Sequence, residues 1–416
     1  MSSLRLVLAG DALMVRPWSH NGDPAFLRLV EELRAADTAI VNLETLVHQF
    51  CGHAQADSGG AWVASAPAIA GELAWAGVDL VASANNHAFD YGSVGVLESL
   101  RHVREAGLLL AGSGTDLQAA RAPAYHHSPR GTVGLVSAAS TFVSYGRASP
   151  SRPDLPGRPG INPLALIGGP VVGISRRNAL RLARLARAAG FSGRRFRMRR
   201  FAVGRLEFQI GEGGSLRLGT CLDARDREAN LASIRLAREH AEVVVMSVHA
   251  HQQGRWLRRF CRDAVQAGAD LLFVHGPHEI RGTEVWQGRP IFYGLGDFVF
   301  ETHRIERLPP EYYERAGLEP DAPRADLARV PSPYAGQRQV WEGLAAVVEM
   351  EGRRAAQIRL LPLDLGFAKP LMERGAPRWA EPGLGRHIIA QAARRSRGYG
   401  TCIRFDEAGN CGLVCL

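Results

Sequence analysis

Residues 78–90 read VDLVASANNHAFD, an apolar run followed by two amides, an imidazole and a carboxylate. The run 78–83 is typical of a buried strand, and polar side chains at the end of such a strand usually line a site. The Asn86 amide oxygen can ligate a hard cation, and a His87 ring held by Asp90 can move protons beside that cation. The alternative is a loop whose Asn side chains cap the following helix.

The chain has 416 residues, of which 46% are hydrophobic and 22% are charged, an ordinary globular composition. One large domain or two unequal domains are expected. The longest apolar runs are too short to cross a bilayer, and the N-terminus lacks the features of a signal peptide. We therefore predict a cytoplasmic protein with no membrane partner. The six cysteines are scattered and contain no pair of CxxC motifs, so neither a disulfide framework nor a structural zinc site is indicated.

Strands and helices alternate through most of the first 300 residues. The predicted strands are Leu4–Ala9, Thr38–Leu43, Val78–Ser83, Leu108–Ala111, Thr132–Ala138, Val243–Val248 and Leu271–Val274, followed by a hairpin of Glu284–Trp286 and Ile291–Tyr293. The predicted helices are Pro24–Ala36, Ala66–Ala76, Val94–Ala106, Leu231–His240 and Phe260–Ala267. This pattern indicates an α/β layered fold in which each strand delivers polar residues at its C-terminal end.

Two segments interrupt the alternation. Residues 149–163 are too rich in Pro and Gly for regular structure. Ile174–Arg200 follows as a predicted basic helix, with three leucines available for burial: Leu180, Leu182 and Leu185. We predict that this insertion, at about residues 145–205, shapes the entrance to the site.

The remaining domain organisation follows from the same pattern. Residues 1–300 are predicted to form the catalytic domain. Residues 301–340 contain many Pro and charged residues and are predicted to form a loop or lid. Residues 301–416 as a whole are expected to add this lid, C-terminal strands and a tail that pack on the same domain.

Ten arginines lie between Arg176 and Arg200, so the net charge of +9 is concentrated in the insertion. Such a patch favours an acidic partner through long-range attraction and bidentate contacts. An acidic peptide or a phosphorylated ligand fits it, and a solvated helix face is the alternative. The patch has few aromatic residues and no recognition-helix, RRM or OB signature, so nucleic acid is not predicted as a partner.

Five predicted strand ends carry residues of metal-binding type. They are Gly10-Asp11, Asn42-Leu43-Glu44, Asn85-Asn86-His87 with Asp90, His249 with His251, and His275-Gly276-Pro277-His278. Carboxylates supply charge for a hard ion, and histidines and an amide complete its coordination shell. One such histidine alone would be interpreted as structural, whereas agreement among five strand ends favours a metal site.

In this order the motifs resemble the polyglutamate capsule-synthesis (CapA-type) family of the calcineurin-like metallophosphoesterase superfamily. The resemblance covers roughly residues 4 to 300 and includes Ser247-Val248-His249, Gly268-Ala269-Asp270 and the run from Gly288 to Phe298, GRPIFYGLGDF. It implies an α/β fold of calcineurin-like type, a two-layered β-sandwich flanked by helices. By matching position it implies metal ligands at Asp11, Glu44, Asn86, His249, His275 and His278. It also implies a catalytic histidine at His87, oriented by Asp90.

The chain departs from the superfamily pattern at three positions. Leu13 stands where dinuclear phosphoesterases usually have the histidine of Asp-x-His, Glu44 represents the bridging aspartate, and Asp297 replaces the asparagine of Leu-Gly-Asn. With one ligand lost, a single ion is expected rather than a tight pair, and two-metal phosphoryl transfer becomes doubtful. We predict one divalent ion, with Ca²⁺, Mg²⁺ or Mn²⁺ ahead of Zn²⁺.

Two classes of reaction use these residues. In hydrolysis of a phosphoester or an amide, the ion activates a water and His87 protonates the leaving group. In epimerisation, His87 with Asp90 and a second pair, His278 or His275 with Asp11 or Asp297, exchange a Cα proton on opposite faces. A non-enzymatic polymer-binding role is the third alternative.

The absence of an apparent membrane anchor, the lost histidine and the arginine-rich insertion make the chain similar to metal-dependent epimerases of lasso-peptide precursors. We predict a metal-dependent isomerase that inverts a Cα centre of a ribosomal precursor peptide, at its C-terminal residue. Its predicted catalytic residues are His87, Asp90, His278 and Asp11, and its predicted partner is a peptide substrate bound at the arginine-rich insertion. The metallohydrolase is the alternative.

Overall fold

The computed structural model describes residues 3–167, 170–190, 195–197, 200–203, 206–210, 216–218, 221–327, 329–330 and 332–416. Its α-helices are Pro24–Arg34, Ala68–Trp75, Gly92–Glu105, Leu117–Arg121, Arg176–Ala188, Ala224–His240, Arg255–Ala267, Pro310–Arg315, Arg324–Leu327 and Pro382–Ser396. Short 3₁₀ turns cover Ser144–Gly146, Thr302–Arg304, Arg338–Trp341, Leu371–Glu373 and Arg397–Tyr399. Every helix among these residues is too short or too polar to span a lipid bilayer.

The larger of two main sheets has ten strands and contains the first strand of the chain. Eight of them lie in the order Ile403–Asp406, Cys411–Val414, Arg354–Asp364, Glu342–Glu351, Leu4–Leu13, Thr38–Leu43, Leu80–Ala82 and Leu109–Ala111. Asp297–Phe300 also pairs with Leu4–Leu13, and Arg378–Trp379 pairs with Arg354–Asp364. The strands Leu4–Leu13, Thr38–Leu43, Leu80–Ala82 and Leu109–Ala111 run parallel to their neighbours in this series, so their C-terminal ends meet at one edge.

The smaller main sheet has six strands. They lie in the order Thr283–Trp286, Arg289–Phe292, Leu271–His275, Val243–His249, Gly131–Ala139 and Ala124–Ser128. Three short pairs complete this description: Leu46–Val47 with Ala64–Ser65, Ser113–Gly114 with Gly160–Ile161, and Leu166–Ile167 with Cys221–Leu222. Val243–His249 and Leu271–His275 are parallel, which places His249 beside His275.

The first strand, Leu4–Leu13, has a hydrophobic cluster on each face. Leu6 and Leu8 belong to the cluster that includes Leu135 and Phe273 of the smaller sheet. The residues on the other face of the first strand, such as Val7, belong to a second cluster with the flanking helices. Burying one such side chain contributes roughly 1.5–3 kcal/mol. The predicted fold class, an α/β two-layered β-sandwich flanked by helices, is confirmed.

The helix Pro24–Arg34 shows why the flanking elements form where they do. The Asp23 carboxylate accepts a hydrogen bond from the Ala25 backbone N–H at 2.9 Å, and Pro24 occupies the first turn, where no backbone donor is needed. Phe26, Leu29, Val30 and Leu33 are buried, at the spacing that places residues on one helix face.

The first strand bends where it approaches the site. Its pairing register shifts between Leu8 and Asp11, and a Cβ at Gly10 would lie 1.8 Å from the Gly296 carbonyl oxygen. Only glycine permits this approach, so Gly10 sets how close the strand lies to the Leu295-Gly296-Asp297 turn.

Cα packing divides the chain into two compact units. One comprises Met1–Pro163 with Glu228–Leu416, and the other comprises Leu164–Arg227. The second unit contains a five-stranded sheet in the order Arg195–Arg197, Arg200–Val203, Leu206–Ile210, Pro170–Ile174 and Leu216–Leu218. The predicted division into residues 1–300 and 301–416, with an insertion at 145–205, stays a prediction.

The predicted helix Ile174–Arg200 is confirmed only over Arg176–Ala188. Gly190 then adopts φ +77°, and Arg195–Arg197 and Arg200–Val203 are strands where helix was expected. The burial expected for the leucines is also wrong for two of them, since Leu180 and Leu185 are exposed and only Leu182 is half-buried. Arg194 and Arg199 of the predicted patch lie outside the described residues.

A buried carboxylate ties the hairpin of the smaller sheet to the helix Arg255–Ala267. Glu284 accepts hydrogen bonds from Arg258 Nη2 at 2.9 Å, from Arg262 and from the Tyr293 hydroxyl at 2.8 Å. Burial acts to raise the pKa of Glu284, but these three donors outweigh it and lower the pKa.

Glu284→Gln is therefore expected to lower the free energy of unfolding by about 1–3 kcal/mol at neutral pH. Because the pKa of Glu284 is lower in the folded chain, the ionised group stabilises the fold above its ordinary pKa of about 4.3, and the stabilisation is lost as the pH falls through the lowered value. Urea unfolding at about pH 7 and about pH 3 should show the gap between the two proteins narrowing in acid. A gap of equal size at both pH values would contradict the assignment.

Candidate metal centre

Asp11 lies in the first strand with its carboxylate buried. Its Oδ1 accepts a hydrogen bond from Asn42 Nδ2 at 2.7 Å, and its Oδ2 accepts one from the Gly276 backbone N–H at 2.9 Å. His275 Nδ1 lies 3.2 Å from Oδ1, and His278 Nδ1 lies 3.8 Å from Oδ2. Burial alone would raise the pKa of Asp11, but the hydrogen bond from His275 and the neighbouring imidazoles lower it well below its ordinary value. Asp11 is therefore an ionised carboxylate at the centre of the site.

Four buried acceptor oxygens at the strand ends have no hydrogen-bond partner among the described residues. They are both carboxylate oxygens of Glu44, Oδ1 of Asn86 and Oδ2 of Asp297. Burial, followed by the charges of Asp11 and Asp297, raises the pKa of Glu44 well above its ordinary value. Leaving such groups unpartnered costs about 1–3 kcal/mol each, and oxygen atoms of this kind fit a site that binds a cation.

A histidine cluster faces these oxygens. His249 Nδ1 lies 2.9 Å from His275 Nδ1, and His249 Nε2 lies 3.1 Å from His251 Nε2 and 3.6 Å from Glu44 Oε1. Ser247 Oγ lies 2.7 Å from His275 Nε2 and so fixes that ring from behind. Burial, followed by neighbouring imidazoles, lowers the pKa of His249 well below its ordinary value and that of His251 to about 4. Both rings are thus neutral, the form that binds a metal.

Gly276 makes this histidine packing possible. It has φ +114°, and a Cβ there would lie 2.7 Å from His251 Cδ2 and 3.1 Å from His249 Nε2. A side chain at this position would push both rings away from Glu44.

The ligand atoms form three groups in which all members lie within 4.8 Å of one another. The groups are Asp11 with His249 and His275, Glu44 with His251 and His278, and Asp11 with His278 and Asp297. Five of the six sequence-predicted ligands are thus brought together. The sixth, Asn86, follows a neighbouring strand of the larger sheet, with its Oδ1 buried.

Two members of these groups were absent from the predicted ligand set, His251 and Asp297. The signal for His251 was the His-x-His spacing with His249, because the chain turns sharply after the strand Val243–His249 and the second ring folds back on the first. Asp297 was predicted only as a partner of a histidine. Leu13, which stands where the superfamily usually has a ligand histidine, is buried in the hydrophobic core and supplies no ligand.

His87 and Asp90 form a pair beside the metal-binding groups. His87 Nδ1 lies 2.8 Å from Asp90 Oδ2, and both side chains are almost fully buried. Asp90 is held by the Ser58 hydroxyl and the Val63 backbone N–H, both at 2.8 Å. The charge of His87 contributes to the lowered pKa of His251, so the pair faces the histidine cluster. Because Nδ1 is engaged by Asp90, Nε2 is the ring atom left to exchange a proton with a substrate.

A glycine turn covers Asn86 and His87. A Cβ at Gly59 would lie 2.6 Å from the Cβ of Asn86, and one at Gly60 would lie 3.3 Å from Cε1 of His87. Arg315, from the segment predicted as a lid, forms an ion pair with Asp57 at 2.8 Å and reaches the Gly60 carbonyl oxygen at 3.4 Å. Residues 301–340 therefore support the turn that packs on both side chains.

Gly59→Ala is expected to weaken Mn²⁺ binding by about 10-fold or more, because the new methyl group displaces Asn86 from its position at the strand end. Isothermal titration calorimetry with Mn²⁺ measures the change. Gly71→Ala is the matched control, since a Cβ at Gly71, in the helix Ala68–Trp75, meets nothing within 4 Å. Equal Mn²⁺ affinities for the two variants would show that Asn86 does not contribute to the centre.

A second histidine–carboxylate pair, His278 with Asp297, lies beside Asp11. His278 adopts φ +53°, unusual for a residue with a side chain, and its Nδ1 lies 2.8 Å from Asp297 Oδ1. Burial alone would lower the pKa of His278, but Asp297 and Asp11 raise it to about 9. Tyr334, from the 301–340 segment, packs edge-on to His278 with ring centroids 6.2 Å apart.

Several known proteins are similar to this chain. The family model of the bacterial capsule synthesis protein PGA_cap matches residues 5–302. An uncharacterised protein of Sinorhizobium fredii, y4sH, is 30% identical over 439 residues, covering 99% of this chain and 93% of the relative. The PGA biosynthesis protein CapA of Bacillus subtilis is 37% identical over 81 residues, 18% of this chain and 21% of the relative. The crystal structure of a Mycoplasma pneumoniae phosphatase aligns with a TM-score of 0.39 at 10% identity, covering 89% of this chain and 98% of that one.

Proposed function

The chain belongs to the bacterial capsule synthesis protein PGA_cap family, and on that premise we propose that it is a metal-dependent hydrolase of a phosphoester or amide. One observation carries the proposal: buried oxygens of Glu44, Asn86 and Asp297 have no hydrogen-bond partner among the described residues, and the His87–Asp90 pair directly follows Asn86 in the chain. Buried acceptor atoms without donors fit a bound cation, and a histidine held by a carboxylate can supply the proton that a leaving group needs.

Three groups of side chains offer ligand atoms for a divalent ion: Asp11 with His249 and His275, Glu44 with His251 and His278, and Asp11 with His278 and Asp297. The buried amide oxygen of Asn86 is the further ligand that the family resemblance implies. When bound, a divalent ion there supplies positive charge that polarises the scissile group and makes water more acidic. The chain's own residues do the rest. Asp90 orients His87, and His87 Nε2 donates a proton to the leaving atom as the oxygen of water bonds to the other atom of the broken bond. The proton that the water loses then restores the protonated form of His87, so no net proton is consumed by the residue.

Epimerisation of a peptide Cα is the second candidate function, and one specific observation favours it. Two separate histidine–carboxylate pairs, His87–Asp90 and His278–Asp297, both show Nδ1-to-oxygen distances of 2.8 Å. A two-base mechanism needs such a duplication, because one group removes the Cα proton and the other returns a proton to the opposite face. A hydrolase with a single general acid has no need of the second pair. The lasso-peptide precursor stays a prediction.

Isotope incorporation separates the two functions. The full chain with Mn²⁺ is incubated with bis(p-nitrophenyl) phosphate, with polyglutamate and with a synthetic acidic peptide, in H₂¹⁸O and separately in D₂O. Hydrolysis is expected to place one ¹⁸O in the p-nitrophenyl phosphate product or in a new carboxylate, read by mass spectrometry. Deuterium at one Cα without chain shortening would overturn hydrolysis in favour of epimerisation. Incorporation of neither isotope would overturn both and leave the polymer-binding role.

A further inference from the structure

The net positive charge of the chain lies entirely in the unit Leu164–Arg227. It contains fourteen arginines against four acidic residues, a net charge of +10, whereas the complete sequence has +9. The other 352 residues therefore sum to −1. Such segregation creates a local field that attracts an acidic partner to this unit rather than to the protein as a whole.

In the helix Arg176–Ala188 the buried side chains are alanines, and two of its three leucines are exposed. Its buried side chains are Ala179, Ala183 and Ala186, spaced at i, i+4 and i+7. On the opposite face, Leu180 is 50% exposed and Leu185 is 66% exposed. An amphipathic helix that served only to pack would bury its leucines and expose its alanines, so this orientation keeps the apolar side chains available to another molecule.

Three arginines lie between these leucines on the same face: Arg177, Arg181 and Arg184. We call Arg177, Leu180, Arg181, Arg184 and Leu185 the arginine–leucine face. Among the ion pairs between described side chains, none involves its arginines, and like charges at i, i+3 and i+4 repel one another along the helix. An acidic partner would relieve that repulsion and pair the guanidinium groups.

We propose that the arginine–leucine face is a docking site for an acidic polypeptide that also carries apolar side chains. Carboxylates of the partner pair with the arginines, and its apolar side chains cover Leu180 and Leu185. The leucines favour a polypeptide over duplex nucleic acid, because the charged backbone of a duplex offers no apolar side chain to cover them. The proposal goes beyond hydrolysis at the metal centre, since docking is measured as binding and needs no turnover.

Fluorescence anisotropy of the full chain with a fluorescein-labelled (Glu-Glu-Leu)₅ peptide tests the proposal. The triple charge reversal Arg177→Glu, Arg181→Glu and Arg184→Glu should weaken binding at least tenfold. The matched control reverses three exposed arginines outside the unit: Arg104→Glu, Arg259→Glu and Arg394→Glu. It changes the net charge by the same amount and should weaken binding less than twofold. Equal weakening in both variants would overturn the proposal, because net charge alone would then explain the binding.

The leucines are tested separately by a variant that preserves every charge. Leu180→Ser with Leu185→Ser should weaken binding of (Glu-Glu-Leu)₅ at least threefold and leave binding of (Glu-Glu-Ser)₅ unchanged. A single-stranded oligonucleotide of equal charge that binds more tightly than (Glu-Glu-Leu)₅ would assign the face to nucleic acid and overturn the proposal. Circular dichroism confirms that each variant keeps its helix content, since all substituted side chains are exposed.

Discussion

Replacing His87 with Gln is expected to lower turnover by about 10²–10⁴-fold while leaving the fold and Mn²⁺ binding intact. The Gln side chain has similar volume and can still donate a hydrogen bond to Asp90, which lies 2.8 Å from His87 Nδ1. It cannot exchange a proton at neutral pH. The substitution therefore removes the proposed proton transfer and little else. Turnover is measured with the substrate identified by isotope incorporation, and bound Mn²⁺ is measured by elemental analysis of the same sample.

The control for this variant is His127→Gln. His127 is an exposed histidine on the edge strand Ala124–Ser128, where its Nδ1 lies 2.9 Å from the Thr132 hydroxyl. Its replacement should leave turnover within a factor of about two of the unsubstituted chain. A His87→Gln protein with more than half the original turnover would show that proton transfer at this site does not limit the reaction, and the assignment of His87 would be wrong.

Replacing Glu44 with Gln is expected to change stability in opposite directions with and without metal. In the presence of EDTA the variant should be more stable than the unsubstituted chain. Glu44 is fully buried with both oxygens unpartnered and lies close to Asp11 and Asp297, and the neutral amide can donate to these carboxylates. With Mn²⁺ at about 100 times its dissociation constant, the unsubstituted chain should gain about 2.7 kcal/mol, while the variant gains much less because it has lost a charged ligand.

Thermal unfolding in EDTA and in Mn²⁺ measures both effects on the same preparations. Glu306→Gln is the control, since Glu306 is exposed and lies outside the metal-binding groups. It should follow the unsubstituted chain under both conditions. A Glu44→Gln protein that is less stable in EDTA, or that gains as much from Mn²⁺ as the unsubstituted chain, would show that Glu44 has a structural role only.

The strand ends were predictable because buried parallel strands are encoded by uninterrupted apolar runs, and the polar residues that follow them are placed by the sheet. Thr38–Leu43 has the bounds that its apolar run predicts, and Val243–His249 and Leu271–His275 each differ by one residue. The meeting of Asp11, His249 and His275 follows from this placement. The roles of these residues as ligands and as catalytic groups stay predictions.

The contribution of His251 was not predictable from strand periodicity, because its ring reaches His249 only through the turn that follows the strand. The insertion was harder still. Gly190, with φ +77°, was a local signal for the end of the helix, but the pairing of Arg195–Arg197 with Arg200–Val203 depends on neighbouring strands that local preference does not specify. The outward leucines of Arg176–Ala188 reverse the usual amphipathic rule, so no periodicity argument could have placed them.

The hydrogen bond from the Gly276 backbone to Asp11 joins residues 265 positions apart, and Arg315 reaches Asp57 across 258 positions. During synthesis at about 5–20 residues per second, Asp11 and Asp57 leave the ribosome many seconds before their partners Gly276 and Arg315 have been made. Until then Asp11 lacks three of its neighbours, Gly276, His275 and His278. A nascent chain therefore cannot assemble the centre, and reactive chemistry is withheld until most of the protein has been made.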